Sequence, residues 1–337
     1  MKKVGRVVIT TLVVLVVLLG TTISFTIGWQ PFVGPRTRAL TSRTFEVTPQ
    51  RLERGRYIFT ALSGCIDCHS QHDMGRFGAP VTAGTEGAGA VMPFEGLPGR
   101  VVASNITPDV ETGAGKWTDD QLARAIREGI GHDGRTLFPM MPYPHYRDMS
   151  DEDLASVVVY LRSLPPVRRE LPKTEIIFPV KYLMRSAPEP VTAPVIAPDA
   201  KDQLHYGAYL IDIAGCSDCH TPMEKGQPIP GLEFAGGQVF KLPAEEVASA
   251  NLTPDPSGIP YYTDVLFIQA LRTGYVGARK LSPIMPFEVY KNLTDDDLKA
   301  IFANLRTLKA VWHQVDNAEA PTYCKLCRAK HGAGNQN

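Results

Sequence analysis

The amino-acid sequence predicts an all-α protein made of two similar helical halves, preceded by one transmembrane helix. Three observations support this prediction: a long apolar run at the N-terminus, helix-capping and helix-spacing patterns, and a set of motifs that occurs twice in the same order. A chain of 337 residues is also long enough for two domains of ordinary size.

Residues 1–30 are predicted to anchor the chain in a membrane. Lys2, Lys3 and Arg6 precede an uncharged run from Val7 to Trp29, which is long enough to cross a bilayer. A cleaved signal peptide has a shorter apolar core and a small-residue cleavage site, so we favour a retained anchor over a cleaved signal. The cationic flank stays in the cytoplasm, which predicts that the remainder lies on the extracytoplasmic side of the cell inner membrane, in the periplasm.

The charge distribution excludes one class of partner. The chain has no net charge, but residues 1–40 contain five basic and no acidic side chains. The remainder therefore carries a net charge of −5. A nucleic-acid-binding domain would be basic, so we expect no nucleic acid as a partner.

Two hexapeptides, at residues 64–69 and 215–220, carry the chemistry. Both read Gly-Cys-x-Asp-Cys-His, and Cys-x-x-Cys-His is the attachment sequence for c-type haem. The thiols form thioethers with the haem, and the histidine binds the iron from one side. A redox dithiol or half of a zinc site is the alternative for a single motif, but two copies in an exported chain favour two covalent haem c groups. The predicted ligands are Cys65, Cys68 and His69 in the first half and Cys216, Cys219 and His220 in the second.

The first half is predicted to span residues 45–168. Thr48-Pro49 has the signature of a helix start, and the helix is predicted to run through Leu62. The glycine-rich residues 71–99 lack periodicity and predict a long loop that wraps the haem. A second helix is predicted near 118–128, closed by a glycine. Ser150 is a predicted N-cap, and the helix after it has one apolar face, formed by Leu154, Val157, Val158, Leu161 and Leu164.

The second half, residues 205–315, repeats this plan. Met141 and Leu154 map onto Met285 and Leu298 with the same offset of 144 residues. A helix is predicted near 263–273, and the closing helix is predicted to present Leu298, Ile301, Phe302, Leu305 and Leu308 on one face. The repeat indicates an internal duplication.

Three segments lie outside the repeat. Residues 31–47, which follow the anchor and run into the start of the first half, are predicted to form a short stalk. The proline-rich residues 169–204 form an extended linker, which either lies across both halves or is a slack tether. Residues 316–337 are a tail that contains a cysteine pair.

The sixth position on each iron is predicted to be held by a methionine. Met-Pro pairs begin at Met92, Met141 and Met285, and the repeat selects Met141 for the first iron and Met285 for the second. Methionine–histidine coordination raises the reduction potential of a haem. Met140 aligns with Ile284 and is expected to pack. Methionines and histidines that do not recur are expected to be core, solvated or satisfied side chains; these are Met74, Met92, Met149, Met184, Met223, His72, His132, His145, His205 and His313.

The tail pair, Cys324 and Cys327, has several possible roles. His331 stands three residues farther from the second cysteine than in the haem motif. A disulfide, a metal site, an atypical third haem and free thiols all remain open. The metal site has only three local ligands, whereas zinc takes four.

The chain resembles the diheme and triheme class I cytochromes c that serve membrane-bound alcohol, gluconate and related dehydrogenases. The resemblance covers about residues 45–315 and rests on the segments 105–109 (Asn-Ile-Thr-Pro-Asp), 117–120 (Trp-Thr-Asp-Asp), 141–143 (Met-Pro-Tyr), 150–154 (Ser-Asp-Glu-Asp-Leu) and 160–165 (Tyr-Leu-Arg-Ser-Leu-Pro). It implies two tandem class I cytochrome c domains with haem-wrapping loops. In these the helix with Gly55 crosses the helix with Tyr160, and Gly207 crosses near Phe302. It also implies electron relay toward quinone or a terminal oxidase.

These observations predict electron transfer without substrate chemistry and without a catalytic residue. The expected partners are a dehydrogenase or quinol donor, a downstream cytochrome or terminal oxidase, and the membrane. The alternatives are a diheme peroxidase, which needs a vacant distal position on one iron, and a thiosulfate-type haem oxidoreductase with cysteine ligation. Both halves keep the Met-Pro pair, which argues against a peroxidase.

Overall fold

The computed structural model describes residues 2–94, 96–224, 226–241, 246–317 and 319–332. The end of the predicted C-terminal tail, 333–337, lies outside the described residues. Helices form most of the regular structure. The chain begins with α1 (Lys2–Thr26) and the short α2 (Gln30–Val33). Within the described residues one helix, Lys3–Thr26, is long and apolar enough to cross a membrane, and its apolar side chains are exposed.

The predicted stalk is docked on the first half. Arg38 lies between two acidic side chains, at 2.7 Å from Asp120 and 2.6 Å from Glu128. The backbone amide of Thr41 and the guanidinium of Arg43 also hydrogen-bond Asp120, which is fully buried. These contacts hold the pKa of Asp120 well below its usual range against the cost of burial. The stalk therefore fixes the point at which the chain from the N-terminal helix joins the first half.

The first half contains five helices, and its N-caps follow the predicted pattern. The side chains of Thr48, Thr118 and Ser150 each accept a hydrogen bond from the amide three residues later. Thr118 forms a full capping box with Gln121. The helices are α3 (Pro49–Tyr57), which continues as a π-helical segment (Ile58–Leu62), α4 (Cys65–Cys68), α5 (Asp119–Glu128), α6 (Tyr143–Tyr146) and α7 (Asp151–Ser163).

The linker is packed along its length. Its short helix α8 (Val180–Leu183) and the following 3₁₀ turn (Met184–Ser186) lie beside the stalk, where Arg185 donates to the carbonyl of Pro31. Farther along, Glu189 pairs with Arg147, and the carbonyl of Val195 accepts from the amide of Asp151. These contacts join the linker to the stalk and the first half, which argues against a slack tether; that it lies across both halves stays a prediction.

The second half repeats the order of the first, with one difference at its end. Its helices are α9 (Gln203–Ile213), α10 (Cys216–His220), α11 (Asp264–Thr273), α12 (Phe287–Tyr290) and α13 (Asp295–Leu305). The expectation that Leu164 and Leu308 belong to the closing helices is wrong, because α7 ends at Ser163 and α13 already ends at Leu305. The amides of Thr307 and Leu308 bond carbonyls three residues back, so the chain tightens into a turn after Leu305.

Short two-stranded antiparallel sheets lie in the loops. The strands are β1 (Ala90–Val91), β2 (Gly99–Arg100), β3 (Val102–Ala103), β4 (Glu175–Ile176), β5 (Met223–Glu224), β6 (Gln227–Pro228), β7 (Val239–Lys241), β8 (Glu246–Ala248), β9 (Tyr275–Val276), β10 (Arg279–Lys280), β11 (Thr322–Tyr323) and β12 (Lys330–His331). β1 pairs with β3 and β2 with β4, and the remaining strands form hairpins with their neighbours in sequence. The predicted loop at 71–99 thus contains no helix among its described residues, and two of its strands pair with residues beyond it.

The two halves share one apolar core and a reciprocal polar interface. The hydroxyl of Tyr57 donates to Asp297, and that of Tyr209 donates to Asp153 at 2.7 Å. Each tyrosine also accepts from the N-cap amide of the opposite closing helix, Thr294 or Ser150, at 3.1 Å. The contacts are equivalent under the repeat, so the halves face each other with approximate two-fold symmetry.

Each half brings two helices into backbone contact at a glycine. A Cβ atom added at Gly55 would lie 2.0 Å from the carbonyl oxygen of Ser156 and 2.7 Å from the Cβ of Tyr160. One added at Gly207 would lie 2.0 Å from the carbonyl oxygen of Ala300. The predicted crossings are therefore present: α3 crosses α7, and α9 crosses α13.

Candidate functional site

One continuous cavity of about 2460 Å³ runs between the two halves. It is larger than the roughly 300–1,000 Å³ of a typical small-molecule pocket. Both Cys-x-x-Cys-His motifs lie on its wall, together with the two predicted methionines. The structure thus brings all eight predicted site residues to one cavity: Cys65, Cys68, His69, Met141, Cys216, Cys219, His220 and Met285.

A left-handed glycine starts each motif. Gly64 has φ 59° and Gly215 has φ 67°, a conformation that glycine adopts without the Cβ penalty of other residues. In both cases the turn leads directly into a short helix, α4 or α10, that carries the two cysteines. The preceding loop is held by a tyrosine from the same half: Tyr146 donates to the carbonyl of Ser63, and Tyr290 to that of Ala214.

The two motif histidines are held identically. The Nδ1 atom of His69 lies 2.7 Å from the carbonyl oxygen of Ser104, and that of His220 lies 2.7 Å from the carbonyl oxygen of Ala250. A carbonyl can only accept, so Nδ1 carries the proton and Nε2 is the nitrogen available to a metal. Burial lowers the pKa of both imidazoles, which keeps them in the neutral form that coordinates iron.

Two buried asparagines position those carbonyls, a role that the sequence alone did not indicate. Asn105 follows Ser104 and donates to the carbonyl of Val167 at 2.7 Å, beyond the closing helix. Asn251 follows Ala250 and donates to Val311 at 2.9 Å. Each asparagine also accepts from the amide two residues later. The signal in the sequence was the recurrence of Asn-x-Thr-Pro-Asp in both halves.

The two Met-Pro segments have the same backbone geometry. The amide of Met141 donates to Phe138 and that of Met285 donates to Ser282, both at 3.1 Å. In both segments the amide two residues after the methionine donates a hydrogen bond to the methionine's own carbonyl oxygen at 2.7 Å. Both side chains are partly buried against the shared core. Other residues of the cavity wall include Met92, Met140, Met184, Met223 and Ile284.

The electrostatics of the cysteines disfavour a redox dithiol. Burial raises the pKa of Cys68 to about 12 and that of Cys219 to about 11, and nearby acidic groups act in the same direction. A reactive dithiol needs a thiol whose pKa lies below its ordinary value. The neutral, partly exposed thiols on the cavity wall instead suit a permanent covalent attachment.

His145 links the two halves beside the second motif. It lies on α6, with Nδ1 at 2.6 Å from Asp212 and Nε2 at 2.7 Å from Asp218, the residue before Cys219. Hydrogen bonds to Asp212 and then Asp218 raise the pKa of His145 to about 10 against the opposing effect of burial. The expectation of a satisfied side chain agrees with this geometry, but its position between the halves was not foreseen because Val289 occupies the equivalent place in the repeat.

Replacing His145 with glutamine is expected to destabilise the protein by about 1–3 kcal/mol at pH 6, because two partly exposed carboxylates lose a cation. The pKa is raised on folding, so the contribution is full below the unfolded value of 6.5 and is lost as the pH rises through about 10. Guanidinium unfolding of wild type and variant at pH 6 and pH 10.5 measures this difference.

The matched control is His205→Gln, since His205 pairs with Asp202 at 2.7 Å but is 81% exposed. It is expected to change stability by less than about 0.5 kcal/mol. A His145→Gln penalty of equal size at the two pH values would contradict the charge-paired imidazolium.

Of the other histidines, His72 and His132 have local partners, whereas His313 and His331 lie together near the tail. His72 lies between the carbonyls of Asp67 and Ala79, and His132 stacks on Trp117 with ring centroids 4.3 Å apart. His313 is different: it lies in a cluster with Cys324, Cys327 and His331. The tail cysteines are not bonded to each other in the structure.

Comparisons with known proteins match this chain to cytochromes c. The model of the cytochrome c family matches residues 52–165. A diheme cytochrome c-type protein of Cereibacter sphaeroides is 30% identical over 271 residues, which cover 77% of this chain and 86% of that protein. The fructose dehydrogenase cytochrome subunit of Gluconobacter japonicus is 31% identical over 277 residues, and the cytochrome c subunit of the quinone alcohol dehydrogenase of Gluconobacter oxydans is 26% identical over 276 residues. Each match covers 77% of this chain, but only 53% and 55% of those two relatives, so the chain spans about half their length.

Proposed function

Because this chain belongs to the cytochrome c family, we propose that it is a membrane-anchored diheme cytochrome c that relays electrons and has no substrate chemistry of its own. The observation that carries the proposal is the pair of equivalent Cys-x-x-Cys-His sites on one cavity. In this proposal residues 45–168 and 205–315 are two tandem class I cytochrome c domains, joined by 169–204.

Each half would hold one covalent haem c with its own residues. Cys65 and Cys68 would form the thioethers in the first half, and His69 and Met141 would bind the iron. Cys216, Cys219, His220 and Met285 would do the same in the second half. A bound haem supplies reversible one-electron chemistry, while the protein sets its potential through axial ligands, buried surroundings and hydrogen bonds to those ligands.

The chain's residues support a relay in three ways. The carbonyls of Ser104 and Ala250 orient the histidines and increase their basicity. Met141 and Met285 would supply a further ligand to each iron, which would leave no position for a reactant. Both motifs line the same cavity between the halves, which supports electron transfer from one site to the other.

The anchor and the partners follow from α1 and from the relatives. We place α1 in the inner membrane with the two halves in the periplasm, because basic residues precede the apolar run. Two relatives are named as cytochrome subunits of dehydrogenases, which favours a dehydrogenase or quinol as electron donor. A downstream cytochrome or terminal oxidase is the proposed acceptor.

Full-length protein matured with haem is expected to contain about two haem c groups per chain, both low-spin in the oxidised form. The double variant Cys65→Ala/Cys68→Ala is expected to contain about one. Pyridine haemochrome analysis gives the count, and electron paramagnetic resonance gives the spin state. A high-spin haem in either half, binding of carbon monoxide by the reduced protein, or enzyme-like peroxide turnover would reject the closed relay in favour of a catalyst.

A further inference from the structure

The C-terminal tail forms a four-residue cluster that the electron-relay proposal does not use. The Sγ atoms of Cys324 and Cys327 and one ring nitrogen each of His313 and His331 all lie within 4.8 Å of one another. His313 supplies the fourth ligand that the tail itself lacks. We propose that this cluster is a structural zinc site of the Cys2His2 type.

The backbone around the cysteines is shaped for a metal. β11 and β12 form a hairpin, and the Cys-x-x-Cys turn is its tip. The amide of Cys324 donates to the carbonyl of Ala329 at 2.9 Å, which closes the turn. Arg328 adopts a left-handed conformation with φ 57°, which turns the chain from the cysteine pair into β12.

The histidines present their nitrogens to the cluster. The Nδ1 atom of His313 lies 2.9 Å from the carbonyl oxygen of Ala235, which leaves Nε2 free to coordinate, and Nε2 lies 3.3 Å from the sulfur of Cys324. The Nε2 atom of His331 is buried and has no hydrogen-bond partner among the described residues. A buried orphan nitrogen is costly unless something in the site binds it.

The size and chemistry of the cluster select a single zinc ion. Two sulfur and two nitrogen ligands suit a tetrahedral zinc site. With bond lengths of about 2.0–2.3 Å, the ligand atoms around one ion stand roughly 3.3–3.8 Å apart, which the cluster reaches by small side-chain movements. A two-iron cluster with the same ligands would bind the histidines through one iron and the cysteines through the other, whereas a single ion binds all four ligands together. No open position is left for a substrate, so the role is structural.

The site would attach the tail to the second half. Cys327 is 4% exposed and packs against Leu232 and Ala235. The loop that holds His313 through Ala235 also contacts the second motif, because the amide of Gly236 donates to the carbonyl of His220 at 2.7 Å. In the first half, Arg169 stands at the position equivalent to His313, so the proposed zinc site belongs to the second half.

The test measures metal content in full-length, haem-matured protein purified without a metal-affinity tag. Elemental analysis is expected to find about one zinc per chain beside about two irons. The variant Cys324→Ser/Cys327→Ser is expected to lose the zinc, keep both haem groups and melt at least about 5 °C lower. The control Lys325→Ser changes an exposed side chain between the cysteines and is expected to keep the zinc.

A second, milder variant tests the proposal even if the double variant does not fold. His331→Gln is expected to lose zinc to a chelator at least about tenfold faster than wild type. Cobalt(II) exchanged into wild type is expected to give the absorption of a tetrahedral site with two thiolates. A third haem per chain, a mass that shows Cys324 and Cys327 joined as a disulfide, or zinc retained by the double variant would overturn the proposal. None of these readouts depends on electron transfer, so they are separate from the test of the relay.

Discussion

Replacing Gly207 with alanine is expected to lower the free energy of unfolding by about 3 kcal/mol or more. The added methyl would lie 2.0 Å from the oxygen and 2.6 Å from the carbon of the Ala300 carbonyl. These are backbone atoms, so no side chain can rotate away, and α9 and α13 must separate. Because α9 leads into the second haem motif, the variant is also expected to retain less haem in that half. Chemical unfolding followed by circular dichroism, together with the haem count, measures both effects.

The repeat supplies a twin experiment and a control. Gly55→Ala meets the carbonyl oxygen of Ser156 at 2.0 Å and is expected to have an effect of the same size in the first half. Ala208→Ser lies in α9 next to Gly207 but is exposed, and it is expected to change stability by less than about 0.7 kcal/mol. A Gly207→Ala protein as stable as Ala208→Ser would show that the helix crossing is not the tight contact described above.

The helices were predictable because their signals are local. Thr48, Thr118 and Ser150 cap amides only three residues away, so the sequence alone contains both partners. The interface between the halves has no such signal. Tyr57 and Asp297 stand 240 positions apart, and each is an ordinary residue in its own helix.

The residues that line the cavity could be predicted where the sequence repeats, but the contacts of residues that do not repeat could not. Comparison of the halves selected Met141 and Met285, but the same comparison dismissed His145 and His313, which have no counterpart. Both lie where the two-fold symmetry is broken. His145 contacts Asp212 across the halves at a position where the repeat has no histidine, and His313 lies in the cluster with the C-terminal tail, which follows the second half. A duplicated sequence reveals shared functions and hides those that one copy has acquired alone.

Replacing Met141 with histidine is expected to lower the reduction potential of the first haem by about 0.1–0.3 V, because a stronger donor replaces a thioether that favours the reduced iron. The near-infrared methionine–iron band is expected to fall to about half of its wild-type intensity and the haem to remain low-spin. Met285→His is expected to do the same to the second haem. Spectroelectrochemical titration of the full-length protein separates the two potentials, since each variant leaves the other half unchanged.

The matched control is Met140→Leu, the neighbouring methionine on the same cavity wall. Its counterpart in the second half is Ile284, so an aliphatic side chain already fills this position once in the protein. The control is expected to keep the full band and to shift the potential by less than about 0.05 V. If Met140→Leu instead removed half of the band and Met141→His did not, the ligand of the first iron would be Met140. The alignment of the two halves, which pairs Met141 with Met285, would then be wrong at this position.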